Sequence, residues 1–329
     1  MRVGFAGHLK YLAALVVAAA LAPVAPAAAA VKIKFAQNQS PISGISIVAA
    51  RQGYFAKNGL DVEVINFTTG KQCLDTVMGG AADIATTAES PTTAAAMAGQ
   101  KIAFLARTEY SYIKTLTATA ADIKAFPDLK GKRLAFTAGT GGEVFTMELL
   151  KKAALAKSDV TLINLRPEDM VAAMASGGID AYSTWEPHIA NGIKALGAKV
   201  TPLDTTGIYA ETFNIVAMQD YLRNNPETVK SFLKSLVEAE DWMKAHPDEA
   251  MQTVAQFVNI PLDVLKPLWR DYVYHVALDA QVVNVLTAHA SWRLATGNHP
   301  PGAVMPDWHA VIFADPLKSV APDRVTLPE

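Results

Sequence analysis

The sequence predicts a two-lobed α/β fold, each lobe a mostly parallel sheet flanked by helices, with two strands crossing between the lobes as a hinge. Three observations carry this. Strand-length apolar runs alternate with helix-length amphipathic stretches from Val31 to Ile215, the order that builds a sheet covered on both faces. One pattern occurs twice, about a hundred residues apart: Gly80-Ala-Ala-Asp83 leading to Glu89-Ser90-Pro91, and Gly177-Gly-Ile-Asp180 leading to Glu186-Pro187. In both, a small-residue turn, an aspartate and a short strand precede a glutamate and a proline, so the chain builds one βα corner twice. Finally, the 299 residues that follow the first thirty suit two domains of ordinary size.

The first thirty residues stand apart. Arg2, His8 and Lys10 precede an apolar run from Tyr11 to Leu21, which Pro23 and Pro26 break before Ala28-Ala29-Ala30. A charged start, a short apolar run and a small-residue end are the marks of a cleaved secretory signal over residues 1–30. The run falls short of the roughly 20 residues a spanning helix needs. Without that segment, 27 Lys and Arg face 31 Asp and Glu, a net charge of −4. That balance offers no basic stripe for nucleic acid. Cys73 is the single cysteine, which excludes an internal disulfide, and no thiol near the cleavage junction could carry a lipid anchor. Cys73 itself fits a buried inert thiol in a helix.

From Val31, Lys-Ile-Lys-Phe-Ala alternates as a first strand that ends at Gln37–Pro41. Ser43-Gly44 starts a helix and Asn58-Gly59 stops it, Asp61–Ile65 is a strand, and Gly70 opens a helix through Met78. Ala82–Thr86 is the strand of the first repeat, followed by a helix over Pro91–Ala98 and a strand over Ile102–Ala106. Leu116–Ala120 is expected to cross to a second lobe, which holds strand Arg133–Phe136, helix Glu143–Leu155, strand Val160–Asn164 and the second repeat. Phe213–Ala217 is expected to return. These crossings divide the chain into residues 31–117 plus 214–329 and residues 118–213. Asn225-Pro226-Glu227 starts a helical region to about residue 295, with Trp242, Trp269 and Trp292 as inter-helix filler. The Pro-rich last thirty residues are expected to wrap the surface as a tail.

Four features carry chemistry. Thr137-Ala-Gly-Thr140-Gly141-Gly142-Glu143 runs strand, glycine turn, helix, which aims backbone N–H groups and a helix dipole at one point, an anion seat. It lacks the third glycine and the ribose-binding acid of a dinucleotide fingerprint, and a tight structural turn is the alternative reading. Glu89 and Glu186 are either helix caps or carboxylates facing a cleft, where they would hold an ammonium or hydroxyl. Trp185 at a strand tip either packs between lobes or covers a ligand's carbon chain or cationic head. Arg107 is a candidate anion clamp, with a plain surface arginine as the alternative. The histidines are scattered without metal-ligand spacing, and neither a nucleophile elbow nor a phosphate loop is present, so no metal, cofactor or catalytic residue is expected.

Five segments, "GYFAKNGLDVEVINF" at 53–67, "GGAADIATTAESP" at 79–91, "LKGKRLAFTAGTGG" at 129–142, "GGIDAYSTWEPH" at 177–188 and "NPETVKSFLKSLVEAEDWMKAHPDEA" at 225–250, occur in an order and spacing that resembles one family. It is that of the periplasmic solute-binding proteins of nitrate, sulfonate and taurine ABC importers, with their thiamine-precursor-binding relatives. The resemblance implies the type II periplasmic-binding-protein fold and a periplasmic monomer that closes on a small molecule. It also implies a membrane permease as partner, with the ATPase on a separate chain. Carried over by position, it implicates Gln39 and Ser40 after the first strand, Glu89 and Ser90, Thr140 and Gly141, and Trp185 and Glu186. A taurine-like or aliphatic sulfonate is the expected solute, with a pyrimidine or other aromatic as the alternative. A two-carboxylate hydrolase or lyase is the enzyme alternative. Two departures bear on this. Ala88-Glu89 stands where sulfonate binders often have Gly-Asp, and the cysteine-rich run of a pyrimidine synthase branch is missing, so that activity does not transfer.

Overall fold

The computed structural model describes Met1 and residues 29–328, so the expected signal segment falls almost wholly outside the described residues. Twelve strands lie among them: β1 (Val31–Asn38), β2 (Leu60–Phe67), β3 (Ile84–Ala88), β4 (Ile102–Tyr112), β5 (Lys114–Ala118), β6 (Arg133–Phe136), β7 (Thr161–Asn164), β8 (Ala181–Thr184), β9 (Val200–Leu203), β10 (Ala210–Met218), β11 (Val273–Asp279) and β12 (Val325–Thr326). They form a seven-stranded sheet in the order β12-β11-β4-β10-β3-β1-β2 and a five-stranded sheet in the order β7-β6-β8-β5-β9. This is the two-lobed α/β architecture the sequence implies, with each sheet mixed rather than mostly parallel. β1 is parallel to β2 and β3, and β6 to β7 and β8. β10 is antiparallel to β3 and β4, and β5 to β8 and β9. The antiparallel strands flank the crossings, because a chain that leaves for a second sheet and returns comes back in the opposite sense.

The duplicated corner has a shared structural reason. Asp83 accepts the backbone N–H of Lys34 at 2.7 Å, while its own N–H donates to Lys34 O. Asp180 accepts the backbone N–H of Arg133 at 2.8 Å and donates to Arg133 O in the same way. Each aspartate therefore clips the start of its strand to the neighbouring parallel strand. Each turn also needs a left-handed residue, met by Gly80 at φ 74° and Gly177 at φ 72°.

The crossings differ from the expected ones. β4 runs on to Tyr112 and β5 begins at Lys114 in the other sheet, and the return lies between Leu203 and Ala210. Divisions at 117/118 and 213/214 would thus cut through β5 and β10. The cause is Arg107-Thr108-Glu109, whose polarity ends the apolar run in the sequence but which lie buried inside β4. β11 likewise interrupts a region expected to be helical. The tail, expected to wrap the surface, instead buries Trp308, Val311, Leu317 and Ala321 in the core of the seven-stranded lobe and adds β12 beside β11.

A large core fills the seven-stranded lobe, where Phe232 meets Phe35 at 5.0 Å and Phe55 at 4.9 Å between ring centroids. Two smaller cores lie with the five-stranded sheet. Cys73 is buried, and burial pushes its thiol up to about 12, as suits an inert side chain.

Candidate functional site

The carboxyl ends of the strands from both sheets meet at a gap between the lobes. One wall carries Asn38 at the end of β1, Ile42 just past it and Ala88 at the end of β3. The other carries Thr140 and Gly141 at the start of the helix Gly141–Lys152 and Trp185 beyond β8, while Glu211 and Phe213 of β10 form the floor. Clefts at the carboxyl ends of strands in open α/β sheets are where small molecules bind. The gap is narrow, about 20 Å³, so the lobes stand nearly closed on each other.

Three of the residues singled out by sequence line this gap: Thr140, Gly141 and Trp185. Thr140 is the N-cap of its helix, accepting the Gly142 N–H at 3.1 Å and donating to Thr137 O at 2.7 Å. Gly142 is buried in that first turn. Ser40 is buried with no partner for its hydroxyl, whereas Gln39 is exposed and turns toward Phe257 O.

The other four are engaged elsewhere. Glu89 is fully buried; it accepts the Thr212 N–H at 2.6 Å and the Thr212 hydroxyl at 3.0 Å, and the Tyr209 hydroxyl bonds its other oxygen. Tyr209 also meets His289 Nε2 at 2.9 Å. Burial pushes Glu89 up to about 7 against the pull of the Thr212 donors. Ser90 is held by Arg293, which donates to its hydroxyl at 3.1 Å. Arg107 pairs with Asp279 at 2.7 Å. Glu186 receives Lys114 Nζ at 3.0 Å and the Ala190 N–H at 3.0 Å, so it caps the helix His188–Leu196.

Sequence reasoning missed Glu211 on the floor and its diagonal neighbour Glu109. Glu109 on β4 and Glu211 on β10 are both buried, and both are held well above the ordinary carboxylate range. Burial is the main cause for each. The charge of Glu211 adds to it at Glu109, and the charge of Glu89 at Glu211. A charged residue inside an otherwise apolar strand run was the available signal.

The family model described as "NMT1/THI5 like" matches residues 41–250, more than half of the chain. The chain belongs to this family. Among its relatives is the taurine-binding periplasmic protein of Escherichia coli, 28% identical over 252 residues that span 74% of this chain and 78% of that one. Another is the 4-amino-5-hydroxymethyl-2-methylpyrimidine phosphate synthase of Saccharomyces cerevisiae, 26% identical over 299 residues, 84% of each chain. The alkanesulfonate-binding protein SsuA of Xanthomonas axonopodis pv. citri, solved bound to MOPS, superposes with a TM-score of 0.75 at 20% identity, covering 88% of this chain and all of that one. The NMT1/THI5-like chain thus has the periplasmic-binding-protein fold. Among the described residues, no helix is long and apolar enough to cross a membrane.

Proposed function

We propose that this chain is the solute-binding component of an ABC importer, a periplasmic receptor that captures a small polar organic ion between its lobes and presents it to a membrane permease. The observation that carries this is the gap itself, where Asn38 and Ala88 of one lobe oppose Thr140 and Trp185 of the other. A solute there touches both halves at once and favours the closed form by its preference for it. The family supports the reading, and the taurine-binding and alkanesulfonate-binding relatives support a taurine-like or aliphatic sulfonate as the solute. Trp185 would cover the carbon chain.

Binding rather than turnover fits the acids best. Glu89 and Glu186, the pair that a two-carboxylate enzyme would need, are spent on Thr212, Tyr209, Lys114 and a helix cap. A second reading, an aromatic solute such as an aminopyrimidine, is favoured by the rings of Trp185 and Phe213 beside the Glu211 carboxylate. Isothermal titration with taurine, ethanesulfonate, nitrate and 4-aminopyrimidine separates these readings. A saturable one-to-one heat without product formation supports the receptor. Product in molar excess over protein would replace it with an enzyme.

A further inference from the structure

A buried carboxylate is costly unless donors or a counter-charge meet it. Among the described residues no donor meets Glu109, and one oxygen of Glu211 is likewise unmet. In the antiparallel pair of β4 and β10, Glu211 stands opposite Ser111 and Glu109 opposite Phe213, so the two glutamates are diagonal neighbours on one face. Glu109 has no exposed surface, and neither of its carboxylate oxygens has a hydrogen-bond partner. Glu211 Oε1 is equally unpartnered, and its Oε2 faces the start of the helix at Gly141, 2.8 Å from where a Cβ there would stand. Asn38 Oδ1, on the wall of the same gap, is a further buried acceptor without a donor.

The nearby cations are turned away. Lys114 is held by Glu186 and Asp271. Arg107 is only two residues from Glu109, but a register shift intervenes: Arg107 pairs with Asn214 and Glu109 with Phe213. Consecutive residues of β10 face opposite sides, so the bulge sends Arg107 to the other face, where it meets Asp279. Aromatic rings complete the surroundings. Tyr274 pairs with Glu109 across the sheet and lies 6.1 Å from the stacked ring of Tyr272, whose hydroxyl is buried without a partner. The helix start that could seat an anion thus faces this chain's own carboxylate.

We propose that the end of the solute reaching the cleft floor is an N–H-bearing organic cation, an ammonium or amidinium group received by Glu211 and Asn38, with Glu109 diagonal to Glu211 on the same sheet face. This rests on the receptor reading and narrows it: a zwitterion such as taurine fits, whereas nitrate or a plain alkanesulfonate leaves the acceptors unmet. Glu109 is faced by Glu211, Ser111, Glu89 and Arg107 and by Tyr272 and Tyr274. Burial raises both carboxyls, helped by the charge of Glu211 at Glu109 and of Glu89 at Glu211, so a cation that ionises them displaces protons and binds more tightly as pH rises.

The test is calorimetry on the mature chain with ethanesulfonate, taurine and benzamidine near neutral pH, in two buffers of different ionisation enthalpy. Taurine or benzamidine should bind more tightly than ethanesulfonate, with proton release. Glu211→Gln should weaken the cationic probe by about tenfold or more, the order of one lost charge-assisted hydrogen bond. Should that variant misfold, the probe ranking and proton release of the wild-type chain still decide. Ethanesulfonate binding as tightly as taurine, or cation binding without proton release, overturns the inference. Heat from ethanesulfonate with none from the amines removes the cation but leaves the receptor reading standing. Silence toward all three counts against both.

Discussion

Asp180 illustrates how much one repeated residue carries. Besides the Arg133 backbone N–H, it accepts that residue's guanidinium through Nε at 3.0 Å and Nη2 at 2.7 Å. Asp180→Ala strands the Arg133 N–H and should cost about 1–3 kcal/mol, seen as a lower denaturation midpoint at unchanged m-value. The Arg133 hydrogen bonds hold Asp180 below its ordinary 3.8. Its contribution is therefore complete above that value and lost as pH falls through the depressed one. Trp185→Ala should instead act mainly on solute affinity, since its ring lines the gap; an unchanged dissociation constant would mark it as inter-lobe packing. The Asp–Glu repeat was legible because both corners obey the same turn chemistry. Which glutamates reach the gap was not, because Glu89 and Glu186 are drawn off by Thr212 and Lys114, residues far away in sequence. Glu109 and Glu211 went unseen because a charge inside a strand resembles a strand end until its neighbours are known.

Among the elements, the hinge strands were the least legible and carry the most consequence. The apolar alternation that located β1, β3 and β8 fails in β4, where the polar residues Arg107 to Glu109 are buried. Beside these strands Tyr209, at the return crossing, packs on the core of the second lobe while its hydroxyl joins Glu89 to His289 of the first. Glu89 is raised from 4.5 to about 7, so its neutral form is the stabilising one. That contribution is present below 4.5 and is lost as pH rises toward 7. His289 acts in the opposite sense. Burial, aided by the charge of Arg293, lowers it from 6.5 to about 3, so stability held above 6.5 is lost as pH falls. Glu89→Gln should therefore flatten part of the decline in melting temperature between 4.5 and 7, the rest belonging to Glu109 and Glu211. A slope identical to the parent's would show that Glu89 charges without penalty. Close packing of the helix Gly44–Arg51 against β11 has a glycine requirement: a Cβ on Gly44 would lie 2.6 Å from the Tyr274 ring, whose hydroxyl donates to Pro41 O at 2.6 Å. Gly44→Ala should cost about 1–3 kcal/mol by overpacking, measured by chemical denaturation.

For the molecule as a whole, closure depends on contacts that never touch the solute. Asn298, just past the helix Ala280–Thr296 of the first lobe, donates to Glu143 Oε1 at 3.1 Å on the helix Gly141–Lys152 of the second. Glu143 is fixed in turn by the Gly139 N–H at 2.7 Å, and the Asn298 carbonyl by Arg293. Trp292 packs against the second lobe's core beside this bond. Asn298→Ala removes the strap from the closed form alone. A single hydrogen bond is worth about 0.5–1.5 kcal/mol, so the closed fraction should fall by roughly two- to tenfold. Apparent affinity scales with the fraction of competent molecules, so it should weaken by the same factor for every solute alike. That uniformity separates a strap from a binding residue, whose loss would change the ranking among taurine, ethanesulfonate and benzamidine. X-ray scattering of the solute-free variant should report a larger radius of gyration than the parent, and saturating solute should bring the two together. Equal radii with a selective loss of one solute would place Asn298 in the site instead of in the hinge motion.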